Sequence, residues 1–145
     1  MDNLYCKIYV NTVLPKTILT QFIANACHGK VTLRTISSML FQIDVITNDE
    51  ANPIMATSPE DGFIYYPYYL EIDPQDSAVE PALYITAIAK LLLSFWELGA
   101  NAVAACDFEE ELPRLASPPQ PPATRAFPVI QRPGGIELNQ PVSIG

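Results

Sequence analysis

The sequence predicts an α+β domain, a ferredoxin-like βαββαβ sandwich whose antiparallel sheet carries two helices on one face. Runs rich in strand formers, with apolar and polar residues alternating, fall near residues 4–10, 31–47, 63–73 and 102–108. Two longer apolar stretches, over residues 15–29 and 77–99, repeat at helical spacing instead. One helix follows the first strand and the other precedes the last, so right-handed crossovers put both on the same sheet face.

In the first strand Leu4, Cys6, Ile8 and Val10 alternate with Tyr5, Lys7 and Tyr9, so one side is buried and the other presents tyrosines and a lysine. Pro15 suits the first turn of a helix; Ile18, Leu19, Phe22, Ile23 and Ala26 follow on one stripe, and Gly29 is the expected stop. From Val31 to Thr47, Phe41, Ile43 and Val45 oppose Gln42 and Asp44, and Ser37-Ser38 marks a break or a hairpin. One bent strand or two short ones are expected there. Asn48 to Gly62 holds Asn52-Pro53, Ser58-Pro59 and Asp61-Gly62, turn chemistry that predicts an exposed loop.

Phe63 to Asp73 favours a strand except at Pro67, which has no N–H to give a ladder and implies an edge or a bulge. Asp76 or Ser77 is the expected cap of the second helix, with Ser77 and Glu80 matching a capping box. Its stripe runs through Leu83, Tyr84, Ala87, Ile88, Leu91, Leu92 and Phe95 to Gly99. Ala102 to Phe108 completes the sheet, and Pro113 closes a compact domain over residues 1–113. Residues 114–145 read as a Pro-rich tail: 8 of the 34 residues from Leu112 onward are proline, which predicts extended or disordered chain. Within it, Phe127 to Ile130 is a patch able to dock on the domain or on a partner without regular structure.

A length of 145 residues suits one domain, and 49% hydrophobic against 17% charged residues is too apolar for a disordered chain. The net charge of −8 repels phosphate backbones, which argues against direct nucleic-acid binding. The most apolar window, Leu83 to Leu98, contains Lys90 and Glu97 and is shorter than the roughly 20 residues of a membrane span, so it predicts a buried helix and no membrane partner. The first residues show no basic segment followed by an apolar core, which predicts a cytoplasmic chain. Cys6, Cys27 and Cys106 are odd in number, scattered and without a C-x-x-C pair; they predict small buried thiols rather than a disulfide framework or a zinc site.

Charge is distributed unevenly. Residues 41–111 carry 14 carboxylates and one base, Lys90, for −13, while residues 1–40 carry +3 and residues 112–145 carry +2. Acids in loops and at helix starts keep a domain soluble and favour the helix dipole. They also create a field that attracts a basic protein, and the tyrosines interleaved with them offer contact area at low entropic cost. The expected partner-binding set is Asp49, Glu50, Glu60 and Asp61 in the loop, Asp107, Glu109, Glu110 and Glu111 after the last strand, and Tyr65, Tyr69 and Glu71 between them. The open sheet face should collect Tyr5, Lys7, Tyr9, Gln42, Asp44, Tyr65, Tyr69 and Glu71, and a last strand ending beside the loop would merge the acids into one rim.

No residue is singled out as catalytic. The chain contains no G-x-S-x-G, H-E-x-x-H, P-loop or G-x-G-x-x-G, and no cofactor is expected. Asp107-x-Glu109-Glu110-Glu111 offers oxygen ligands for a hard cation but not the Asp-x-Asp-x-Asp-Gly spacing of a calcium loop, so no metal site is expected. His28, the single histidine, sits where a helix C-terminus favours positive charge, and no nucleophile is placed to use it. The strings Tyr65-Tyr66-Pro67-Tyr68-Tyr69-Leu70-Glu71-Ile72 and Val103-Ala104-Ala105-Cys106-Asp107-Phe108-Glu109-Glu110-Glu111-Leu112-Pro113 resemble those of small bacterial proteins over about residues 1–113, and the acidic single-domain character of the chain resembles that of the immunity proteins among them. That resemblance implies a non-catalytic inhibitor that covers a basic toxin, such as a secreted nuclease, across or beside its active site. The alternative is a small-molecule-binding or regulatory ferredoxin-like module, dimeric through its open sheet face; a cofactor-free enzyme on the same aromatic face is a third reading.

Overall fold

The computed structural model describes residues 3–112 and is α+β, with six antiparallel strands in one open sheet and two helices. In chain order these are β1 (Cys6–Asn11), α1 (Lys16–Ala26), β2 (Lys30–Thr32), β3 (Thr35–Ser37), β4 (Phe41–Thr47), β5 (Tyr68–Pro74), α2 (Pro81–Leu98) and β6 (Asn101–Cys106). The sheet order is β2-β3-β4-β5-β1-β6, so β2 and β6 are the two edges. The tail and its docking patch lie outside the described residues.

The period-two alternation does what it predicts. Cys6, Ile8 and Val10 of β1, Phe41, Ile43 and Val45 of β4, and Leu70 and Ile72 of β5 are all buried, while their neighbours Lys7, Tyr9, Gln42, Asp44, Tyr69 and Glu71 are half-buried or exposed. The buried sets share one core with Leu19 and Ile23 of α1 and with Tyr84, Ile88, Leu92 and Phe95 of α2. The helices touch through Phe22 and Phe95, whose ring centres are 5.8 Å apart. Tyr84 is fully buried and donates its hydroxyl to the Ile72 carbonyl at 3.2 Å, which satisfies the polar end of an otherwise apolar ring. α2 has the length and mean hydropathy, 1.3, of a membrane span, and its buried stripe is the one that packs in this core.

Several local expectations are corrected. The 31–47 region makes three strands, because Leu33 takes a left-handed conformation (φ 58°) and turns β2 back onto β3. The sheet is therefore larger than the four strands of the expected βαββαβ arrangement. α1 ends at Ala26, three residues before Gly29: His28 adopts the left-handed position (φ 56°), and the Gly29 N–H reaches back to the Ala24 carbonyl at 2.8 Å. Gly29 is needed for a different reason, since a Cβ there would lie 2.7 Å from Cγ2 of the buried Ile36.

The capping box does not form. α2 starts at Pro81 with Glu80 as its cap residue and no side-chain cap bond, and Asp76 Oδ1 instead accepts the Ala78 N–H of a preceding turn at 2.8 Å. Gly99 closes the helix in the left-handed conformation as expected (φ 92°). Pro67 splits the 63–73 run into a 3-10 turn, Gly62–Tyr65, and β5. The last strand stops at Cys106, yet the buried side chains Phe108 and Leu112 continue the core past it.

Candidate partner-binding surface

The sheet face away from the helices is built by β1 and β5, paired so that Lys7 opposes Glu71 and Tyr9 opposes Tyr69. Tyr9 and Tyr69 rings lie 5.8 Å apart, and the Lys7 ammonium stands 4.1 Å from the Tyr69 ring centre and 5.1 Å from that of Tyr9. The Tyr5 hydroxyl donates to Glu71 Oε2 at 3.2 Å. Burial first, then the charge of Glu71 and its hydrogen bond, push the Tyr5 phenol up to about 12. On β4, Asp44 opposes Glu71 from the other side and accepts the Thr35 hydroxyl at 2.7 Å. Aromatic rings and carboxylates thus share one half-exposed face.

The segment between β4 and β5 folds over the end of that face. Asn48 is buried, against the expectation of an exposed loop, and its amide donates to the carbonyls of Ile64 (2.9 Å) and Tyr66 (2.7 Å). Its Oδ1 accepts the Glu50 N–H at 3.0 Å, so one side chain satisfies three backbone groups. The turn it holds carries Phe63 to within 5.3 Å of the Tyr9 ring, edge to face. Gly62 sits where a Cβ would come 2.5 Å from the Ala56 carbonyl oxygen, which lets two 3-10 turns, Met55–Thr57 and Gly62–Tyr65, pack together.

The register separates the acids that were expected to meet. β6 runs so that Asn101 opposes Asn11 and Cys106 opposes Cys6, while the 48–67 segment leaves β4 at Thr47 and enters β5 opposite Val10. Asp49, Glu50, Glu60 and Asp61 therefore lie at one end of the sheet, and Asp107, Glu109, Glu110 and Glu111 at the other. Five residue steps of β1, roughly 17 Å, stand between these ends. Tyr65 belongs to the 3-10 turn rather than to a strand, whereas Tyr69 and Glu71 lie on the sheet face as expected. Glu71, Lys7 and Tyr5 link that face to the Asp107–Glu111 end.

Two features of the site have little sequence signal. Phe63, at the start of a run of strand formers, is the aromatic lid on Tyr9, and Asn48, a turn residue by type, positions the lid. The polar spacing of Asn48, two residues before Glu50, is a weak local signal for a side chain that satisfies its own turn.

Among the described residues no group of three or more His, Cys, Asp or Glu side chains is arranged to hold a metal ion. A pocket of about 220 Å³ lies beside Leu4, Pro81, Ile85, Asp107 and Phe108. No family model, no curated protein and no solved structure matches the chain.

Proposed function

We propose that this chain is a non-catalytic acidic protein-binding domain, an immunity or inhibitor protein that neutralises a basic toxin such as a nuclease in the cytoplasm. The observation that carries the reading is the open sheet face, where Tyr9 and Tyr69 pack under Lys7 with Glu71 and Asp44 beside them. Tyrosines held rigidly by their neighbours lose little entropy on binding, and carboxylates around them complement a basic surface. Neither a cofactor nor a catalytic residue enters this mode of action, and contact with nucleic acid or membrane is not part of it.

The four strands β4-β5-β1-β6 are, in this reading, a ferredoxin-like core to which the β2–β3 hairpin is added at one edge. Its support is their adjacency and antiparallel pairing together with a helix after β1 and another before β6. A small-molecule module has less behind it: the pocket of about 220 Å³ is smaller than ordinary ligand sites of about 300–1,000 Å³.

The test is capture with the tagged full chain from its native cells, mass spectrometry of what is retained, and assay of the retained protein with and without an equimolar amount of this chain. A basic protein whose activity is abolished, and whose capture is lost on Tyr9→Ala and Tyr69→Ala substitution, is expected. A captured protein that stays fully active, or one held equally well by the substituted chain, would overturn the reading.

A further inference from the structure

Cys6 and Cys106 are paired partners on the adjacent antiparallel strands β1 and β6. Antiparallel partners alternate between hydrogen-bonded and non-hydrogen-bonded positions, and in the latter the Cα atoms approach to about 4.5 Å. Two contacts place this pair in the second class. The Cys106 N–H donates to Glu109 Oε1 at 3.2 Å, and the Ala102 carbonyl, four residues earlier on β6, accepts the Trp96 indole N–H at 3.2 Å. These even-numbered residues of β6 therefore turn their backbone groups outward to the sheet edge and not to β1. A close Cα pair of this kind falls within the roughly 4.4–6.8 Å range that a disulfide spans.

The two thiols differ in environment. Cys6 is fully buried, whereas Cys106, on the edge strand, is half-buried. The Cys6 thiol, facing it across the strand pair, and the nearby Phe108 backbone N–H hold Cys106 below the usual thiol value despite its partial burial and the nearby Glu109 and Asp107. The neighbouring Cys106, followed by burial, pushes the Cys6 thiol up and keeps it protonated. The more reachable sulfur is thus the more nucleophilic one, and its neighbour is positioned to resolve it.

We propose that Cys6 and Cys106 are a thiol–disulfide site, in which a hydroperoxide oxidises Cys106 and Cys6 closes a cross-strand disulfide. The Cys106 thiolate attacks the peroxide oxygen, the O–O bond breaks, and a sulfenic acid and hydroxide (or an alkoxide) result. The Cys6 sulfur then attacks the Cys106 sulfur, the S–O bond breaks, and the Cys6 proton leaves with the hydroxyl as water. The two thiols lose two electrons, and the peroxide gains them. The bond joins the edge strand to the sheet centre and encloses nearly the whole folded chain between its ends. A dithiol reductant reverses it.

Full-length chain, folded and then unfolded in denaturant, is treated with dilute hydrogen peroxide, blocked with an alkylating agent and analysed by intact mass and peptide mapping. The folded chain should become lighter by two hydrogen atoms before alkylation, retain one alkylatable thiol, and yield a Cys6–Cys106 linked peptide that dithiothreitol removes. Cys27→Ala should leave that peptide unchanged, and the unfolded chain should lose its preference for this pairing. A folded wild-type chain in which Cys106 proceeds to sulfinic acid with Cys6 still alkylatable, or in which Cys27 takes part in the major disulfide, would overturn the proposal.

Discussion

The phenol of Tyr5 donates to the Glu71 carboxylate at 3.2 Å, tying the chain just before β1 to the centre of β5. Its value of about 12 lies above the usual 10 of a tyrosine. The folded state therefore keeps this proton longer than the unfolded state, and the linked stability is complete below pH 10 and is lost as pH rises through about 12. Replacing Glu71 by Gln removes the charge but not the burial, so the Tyr5 titration should move down towards 10 without reaching it. NMR titration of the Tyr5 ring carbon in both chains checks this; an unmoved midpoint would show that Glu71 does not act on the phenol.

The β2–β3 hairpin turns on a leucine that is 96% exposed and left-handed. That conformation costs an ordinary L-residue about 1–2 kcal/mol, part of which glycine recovers. Leu33→Gly should raise the stability to urea by about 0.5–1 kcal/mol, and Leu33→Val should lower it, because a β-branched side chain fits φ near 58° still less well. Equal midpoints for the two variants would show that the turn carries no strain.

The same leucine explains where the sequence was legible and where it was not. Alternation in β1 and β4 identified the buried face residue by residue, and in β5 it placed Tyr69 and Glu71 on the open face, because each strand's in-and-out pattern is local and covers five or more positions. The hairpin was hidden because neither Gly nor Asn marks its turn and Leu33 extends the apolar pattern. Tyr65 was misplaced since Phe63 to Tyr66 have strand propensity, and only Pro67 together with the bonds from Asn48 makes them a 3-10 turn. Convergence of the acids failed for a non-local reason. Which end of β6 lies beside which loop depends on strand direction across β1, and nothing in the composition of Asp107 to Glu111 encodes it.

The β6 edge has no charged residue or proline along Asn101–Cys106, a composition that invites pairing with another strand. Trp96 and Glu109 occupy two of its outward backbone groups, one at each end. Trp96→Phe combined with Glu109→Ala should cost about 0.5–1.5 kcal/mol for each lost hydrogen bond. It should also make the chain self-associate at concentrations where the wild type does so more weakly or not at all. Sedimentation velocity across a concentration series measures the difference, and identical profiles would mean that these side chains do not guard the edge.

The two acidic ends make the partner-binding proposal divisible. Asp107 and Glu109 to Glu111 flank the Tyr5–Glu71 side of the open face, whereas Asp49, Glu50, Glu60 and Asp61 flank the Phe63 side, with the length of β1 between them. A partner seated on Tyr9 and Tyr69 that spans the face feels both ends, and their charges act over a screening length of about 8 Å at physiological ionic strength. Glu110→Gln with Glu111→Gln leaves the Glu109 bond to Cys106 in place and alters the fold by less than about 0.5 kcal/mol per exposed site. Asp49→Asn with Asp61→Asn does the same at the other end. For the captured basic protein, each pair of substitutions should slow association several-fold at low salt, and combining all four should lose about tenfold in affinity, because rim charges act mainly on the on-rate. Raising the salt should shrink these differences. If one pair accounts for the whole loss and the other for none, the partner occupies a single end of the sheet. If neither changes the on-rate or its salt dependence, the −13 segment serves solubility, and the proposed recognition by charge is wrong.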